Sequence, residues 1–195
     1  MNEPYGATPL DPDETRGLRF GHIETRTELD RMEQANIQDG MVWLGRQRNP
    51  DVLSEAFVRE LHRRLFGQVW LWAGRFRCNE KNIGVAPEQV AVELRKLLGD
   101  CRFWVDNNTW RPIELALRFH HRLVWIHPFP NDNGRHARIL ADALLVHELG
   151  VRPIAWGGNG LLADSEHRNA YIESLRAADA GNFGPLLRLF GDGAG

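Results

Sequence analysis

Trp125-Ile126-His127-Pro128-Phe129-Pro130-Asn131-Asp132-Asn133-Gly134-Arg135-His136-Ala137-Arg138 joins two apolar-periodic segments through a turn rich in Pro, Asn, Asp and Gly. Upstream, Pro112 suits the first position of a helix, and Ile113, Ala116, Phe119, Leu123 and Ile126 form one inward face. Downstream, the pattern predicts a helix from Arg135 to Leu149, with Gly150 just past its end. A tight helix–loop–helix with no alternating strand on either side points to an all-α fold.

Working outward, the same periodicity recurs. Thr25-x-x-Glu28 has the capping-box spacing and starts a helix whose stripe is Leu29, Met32 and Ile37. Glu33 and Asn36 occupy the positions on that stripe where a core helix puts Leu. Ser54 to Leu65 reads as a helix stopped at Gly67. Pro87 opens another, with Val90, Leu94, Leu97, Leu98, Cys101 and Val105 on its face. Ser165 caps a helix through about Ala178, and a short one covers Gly184 to Phe190. Between them, Gly74 to Val85 has Asn, Gly and weak alternation, which predicts a hairpin or exposed loop. The expected organisation is an irregular arm over 1–24, one helical domain over 25–190 and a loose tail over 191–195.

Composition narrows the function. The 195 residues carry 24 Lys plus Arg against 26 Asp plus Glu, a net charge of −2, which argues against a protein that coats nucleic acid. No apolar run approaches the roughly 20 residues that span a bilayer. The N-terminus lacks a secretory core, and Cys78 and Cys101 cannot form a disulfide framework, so a cytoplasmic setting is expected. His120, His121, His136 and His147 lack metal-site spacing, and the tryptophans read as core.

The central loop carries the chemistry. The first N–H groups of a helix lack internal partners and attract anions, and Asn133-Gly134 can aim successive N–H groups at one point. Arg135 and Arg138 share a face of that first turn, where the helix dipole disfavours cations by about 0.3–1 kcal/mol each at exposed sites. Two arginines there point to a bound anion, and their forked donors suit phosphate. His127 stands at the opposite lip, with an ordinary pKa of about 6.5 that suits a proton acceptor. A base, an anion nest and two arginines point to phosphoryl or nucleotidyl transfer.

His127-Pro128-Phe129-x-x-x-Asn133-Gly134-Arg135-x-x-Arg138 resembles the signature of the Fic (Fic/Doc) family, H-P-F-x-[D/E]-G-N-G-R-x-x-R. The segments Pro4–Glu14 and Phe66–Val85 and the Tyr171…Leu175…Ala178 helix resemble a bacterial subgroup called mobile mystery protein B. The resemblance implies an all-α Fic-type domain with a short β-hairpin flap over 74–85. It implies a protein adenylyltransferase that moves AMP from ATP, with Mg²⁺, onto a hydroxyl side chain of a target protein docked on that flap. His127 would be the base. Asn133, Gly134 and Arg135 would hold the α- and β-phosphates, Arg138 the γ-phosphate, and Tyr171 would lie near the adenine.

Two positions depart from the signature. The acidic, metal-holding position is Asn131, and the following Gly is Asp132. Either Asp132 supplies the carboxylate, or metal binding is weaker, or the donor is not ATP. These departures leave open a nucleotide-binding or toxin-like half of a two-protein system, or transfer of another nucleotide or of phosphate. Glu33 resembles the glutamate of the family's inhibitory helix only at the Glu itself, because Leu29 and Gln34 replace its flanking positions. A buried carboxylate needs a partner, and Arg138 is the expected one. If Glu33 is not the inhibitor, control would come from a separate regulatory protein.

Overall fold

A computed structural model of the chain describes residues 11–21, 25–157 and 165–191. Eight α-helices are present among them: α1 (Pro12–Thr15), α2 (Arg26–Gly45), α3 (Glu55–Phe66), α4 (Val90–Asp106), α5 (Pro112–Ile126), α6 (Asn133–His147), α7 (Ser165–Asp179) and α8 (Gly184–Phe190). A 3-10 turn, Pro87–Gln89, leads into α4.

The helix starts follow local capping chemistry. Thr25 accepts from the Glu28 N–H at 3.2 Å and its own N–H donates to the Glu28 carboxylate, closing the box that stops α2 from fraying. Ser54 accepts from the Phe57 N–H at 3.1 Å at the head of α3. Pro112 occupies the first turn of α5.

α5 is the centre of the fold. It buries Leu115, Ala116, Leu117, Phe119, Leu123, Val124 and Ile126, and packs against α4 and α6. α6 returns along it, burying Ala137, Leu140, Ala141, Leu144 and Leu145. α2 packs on α3, and α8 packs on α7 and α5. At Gly40 the α2 backbone comes so close to α3 that an added Cβ would lie 2.8 Å from the Leu65 side chain and 3.0 Å from the Arg64 carbonyl oxygen. Asn36 fastens the same crossing: its amide donates to the Arg64 carbonyl at 2.9 Å and accepts from the Gln68 N–H at 2.8 Å. The polar residues on the α2 stripe are therefore buried and partnered, not rotated into water.

Two expectations are corrected. The described part of the N-terminal arm is not irregular: it contains α1, and the chain after it runs beside 69–71, with Leu71 N–H donating to Gly17 at 2.8 Å and Arg19 N–H to Val69 at 2.9 Å. Residues 1–10 and 192–195 lie outside the described residues, and with them most of the expected loose tail. The 74–85 segment is not a β-hairpin: among the described residues the only ladder contact is an isolated bridge between Leu18 and Trp70. Residues two apart on a strand share a face, but Arg75 is exposed while Arg77 is buried. The segment is a loop shaped by one internal arginine.

Candidate functional site

Loop 127–132 turns α5 into α6. His127 caps α5 in the left-handed region (φ 55°, ψ 61°) while its N–H still donates to Leu123 at 3.1 Å. That geometry turns the chain sharply at the histidine. Asn133 then braces the loop from the far side: its Oδ1 accepts from the Phe129 N–H at 2.9 Å and its Nδ2 donates to the Phe129 carbonyl at 2.8 Å. The Asn133 side chain is thus a strut within the loop.

Phe129 is the anchor beneath. It is fully buried, lies 3.8 Å from the His62 ring and meets His136 edge-on at 5.1 Å. His62 was not singled out by the sequence. From α3 its Nε2 donates to the Asn131 carbonyl at 3.3 Å, and its Nδ1 accepts from the Gly74 N–H at 3.1 Å. This pairing defines the neutral tautomer. Burial first, and then the charges of His136 and Arg135, hold its pKa well below the ordinary value, against a raising contribution from Asn131.

Asp132 takes a left-handed backbone (φ 63°, ψ 14°). A glycine adopts that conformation at no steric cost, which explains why the resembled signature has Gly here. Asp tolerates it better than most residues. Its carboxylate pairs with Arg135 one turn ahead. Asn131 Oδ1 accepts the Asp132 N–H at 2.8 Å.

Glu33, only 1% exposed, reaches the same arginine: its Oε2 lies 2.6 Å from Arg135 Nη2, and its Oε1 accepts from Trp70 Nε1 at 2.7 Å. The expected Glu33–Arg138 pair is therefore corrected to Glu33–Arg135. The close α2–α3 crossing brings α2 to the first turn of α6, one turn short of Arg138. Burial alone would lower the Arg135 pKa, but the Asp132 and Glu33 carboxylates outweigh it and raise it. Arg138 instead stands 5.8 Å over the Tyr171 ring. Tyr171 is buried, with its hydroxyl 2.9 Å from His120 Nε2 and its ring against Phe190 at 6.1 Å. Tyr171 therefore packs between Arg138 and Phe190, with its hydroxyl on His120.

At the head of α6 the N-cap residue Asp132 makes no side-chain cap hydrogen bond, and there is space beside Gly134. A Cβ placed there would meet only Arg138 Nη1, at 3.8 Å. His127 is buried at the other lip. Its pKa is lowered to about 4, by burial first, then by the charges of Arg77 and Lys81, against a raising contribution from Val124. At neutral pH it is an uncharged imidazole able to accept a proton. Among the described residues no group of three or more His, Cys, Asp or Glu is arranged to hold a metal ion.

Arg77 is the other residue the sequence did not disclose. Its guanidinium meets the carbonyls of His127, Asn79, Val85 and Ile126. Nothing in the spacing of Arg75-Phe76-Arg77 separates the inner arginine from the outer one.

Residues 52–145 match the model of the Fic/DOC family. The chain is 32% identical over 136 residues to "Protein adenylyltransferase Fic" of Nematostella vectensis, covering 68% of this chain and 30% of that protein. It is 28% identical over 146 residues to the protein of that name from Aedes aegypti, covering 73% of this chain and 28% of the other. It therefore spans less than a third of the length of these curated relatives. Fic-1 (aa134–508) of C. elegans superposes with a TM-score of 0.68 at 27% identity, covering 89% of this chain and 50% of that one. The motif, the helical frame around it and these likenesses agree: the chain carries a domain of the Fic/DOC family.

Proposed function

We propose that this chain is a protein adenylyltransferase that moves AMP from ATP to a hydroxyl side chain of a target protein. The observation that carries this reading is the pairing of a neutral buried imidazole, His127, with the N-terminus of α6, which has no side-chain cap, and its arginines across one short loop. The target oxygen attacks the α-phosphorus, its proton passes to His127, and pyrophosphate leaves. The α6 N–H groups and Arg135 stabilise the α- and β-phosphates, and Arg138 reaches the γ-phosphate. The target segment lies along 74–85. Tyr171, which packs against Arg138, lies near the adenine.

Mg²⁺ is the ion such a transfer uses, and the loop does not offer it a ready site. Asn131 Oδ1 is engaged by a backbone N–H, and the Asp132 carboxylate is turned to Arg135. Glu33 and Asp132 both occupy the arginine that binds phosphate, so the state described is restrained, with Glu33 as the inhibitory residue. A cytoplasmic setting is part of this reading; among the described residues no helix is long and apolar enough to cross a membrane. The mobile mystery protein B assignment rests on the flanking segments of the sequence, whereas the two curated relatives above are animal proteins.

The test is incubation of the native protein, Glu33→Gly and His127→Ala with labelled ATP, GTP, CTP and UTP, followed by mass analysis of the adduct. Transfer of AMP from ATP that increases in Glu33→Gly and vanishes in His127→Ala is expected. Nucleotide binding without transfer in all three would favour the binding-module reading. An adduct of phosphate, or of another nucleotide, would replace the chemistry while keeping the site.

A further inference from the structure

Arg77 is 3% exposed, and its guanidinium makes no hydrogen bond to a carboxylate among the described residues. Its Nε donates to the His127 carbonyl at 2.6 Å and its Nη1 to the Asn79 carbonyl at 2.9 Å. Its Nη2 donates to the Val85 carbonyl, and to that of Ile126 at 3.4 Å. The backbone adds two links: Arg77 N–H to Pro128 at 3.0 Å and Val85 N–H to Ile126 at 3.4 Å. Ile126 and His127 are the last carbonyls of α5, which have no helical partner and carry the negative end of the helix dipole. A buried guanidinium is matched to that end in charge and in number of donors. The fit is tight: a Cβ on Gly84 would lie 2.7 Å from Arg77 Nη2 and 2.8 Å from His127 Cβ.

We propose that Arg77 is a positioning residue: by binding carbonyls at the end of α5 and at both ends of the 79–85 loop, it holds the flap in register with the loop that carries His127. The flap has no strand of its own, so this one side chain replaces the ladder that would otherwise fix it. A target segment laid on the flap is thereby held at a set height above the imidazole, and small displacements there cost rate steeply. The role rests on the reading of His127 as the base. Among the described residues all the hydrogen bonds of the guanidinium go to backbone carbonyls. Its charge also faces His127, together with that of Lys81 from the same loop, and both favour the neutral imidazole. Lys81 is in turn held by Asp11 at 3.2 Å and by Glu14, so the flap is tied to α1 on its outer side.

The test compares the native chain with Arg77→Met, Arg77→Lys and Arg77→Gln by amide hydrogen exchange, by NMR titration of His127 and by single-turnover self-modification with labelled ATP. In Arg77→Met the exchange of the Val85 amide should rise at least about tenfold, because a lost buried hydrogen bond is worth about 1–3 kcal/mol when its partners are left bare. His127 should titrate nearer 6.5, and the transfer rate should fall about 10–100-fold with ATP affinity unchanged. Arg77→Lys should keep the low titration of His127 but recover the exchange protection only in part, since one ammonium cannot span four carbonyls. If Arg77→Met fails to fold, Arg77→Gln carries the same readouts. Unchanged flap exchange together with an unchanged His127 titration in a folded neutral variant overturns the proposal. If the native protein and Glu33→Gly transfer no nucleotide, the adenylyltransferase reading fails separately, and exchange and titration still decide the role of Arg77.

Discussion

Glu33 Oε2 and Arg135 Nη2 meet at 2.6 Å across 102 positions of sequence, while Trp70 holds the other oxygen of the same carboxylate. A carboxylate buried this deeply is costly unless paired, and the pair occupies the arginine nearest the α6 N-terminus. Asp132 lies on the same guanidinium, so Arg135 faces two negative groups before any phosphate arrives.

Glu33→Gln should raise nucleotide transfer by about tenfold, because it removes one of the two carboxylates that compete with phosphate for Arg135, and a charge-assisted hydrogen bond is worth about 1.5–3 kcal/mol. Stability should fall by about 1–3 kcal/mol, less than for a typical broken buried pair, since Asp132 remains to neutralise Arg135. Denaturant melts and labelled-ATP incorporation read the two effects, which have opposite signs. A variant that loses stability without gaining activity would make Glu33 structural.

His127→Ala should reduce transfer by about 10²–10⁴-fold in a chain that still folds, with a modest drop in melting midpoint from the buried ring that is lost at the end of α5. In the native protein the acid limb of kcat/KM should lie near 4, the value to which burial and the Arg77 charge lower the imidazole, and not near 6.5. An acid limb at 6.5 that vanishes with His127 would show that the site opens before reaction.

Asp132→Gly places the residue best suited to φ 63° at that position and removes one of the two carboxylates on Arg135. Backbone relief of about 1 kcal/mol opposes the lost pair, so stability should change little. Affinity for ATP should rise several-fold as the loop opens to phosphate. Calorimetric titration of both proteins measures it, and weaker binding in the glycine variant would identify Asp132 as a ligand of the nucleotide or its metal.

Acid should destabilise the fold. Burial, their largest cause, lowers the folded-state pKa of His120 to about 3 and of His136 to about 4, and holds His62 well below 6.5. Each stays neutral when folded and charges when unfolded, so its contribution is complete above 6.5 and is lost as pH falls through the folded value. Asp142 acts oppositely: raised to about 6 by burial, it gains stability on protonation below that pH, but it is one group against five, since burial also lowers His121, and His127 to about 4. The melting temperature should therefore drop between pH 6.5 and 4. A rise across that interval would show that these histidines are hydrated.

The helices were legible because period and caps are local: Thr25 with Glu28, Ser54, Pro112 and the α5 face need only neighbours in sequence. The loop 127–138 was legible because its chemistry is contiguous, and Asp132 stood out as a side chain where glycine fits, a preference its left-handed backbone explains. What tertiary structure decided was pairing at a distance. Glu33 could be recognised as a buried carboxylate from its place on an apolar stripe, but whether it met Arg135 or Arg138 depended on the close α2–α3 crossing at Gly40 and Asn36. The flap could be recognised as non-helical, but not as a loop without a ladder, because its order comes from Arg77 reaching carbonyls about 50 residues away. His62 and Arg77 look like any surface His or Arg until packing removes them from water. Hydrogen-bond partners drawn from separate segments leave no periodic mark in the chain, so only the folded arrangement distinguishes the residues that hold the site from those that merely surround it.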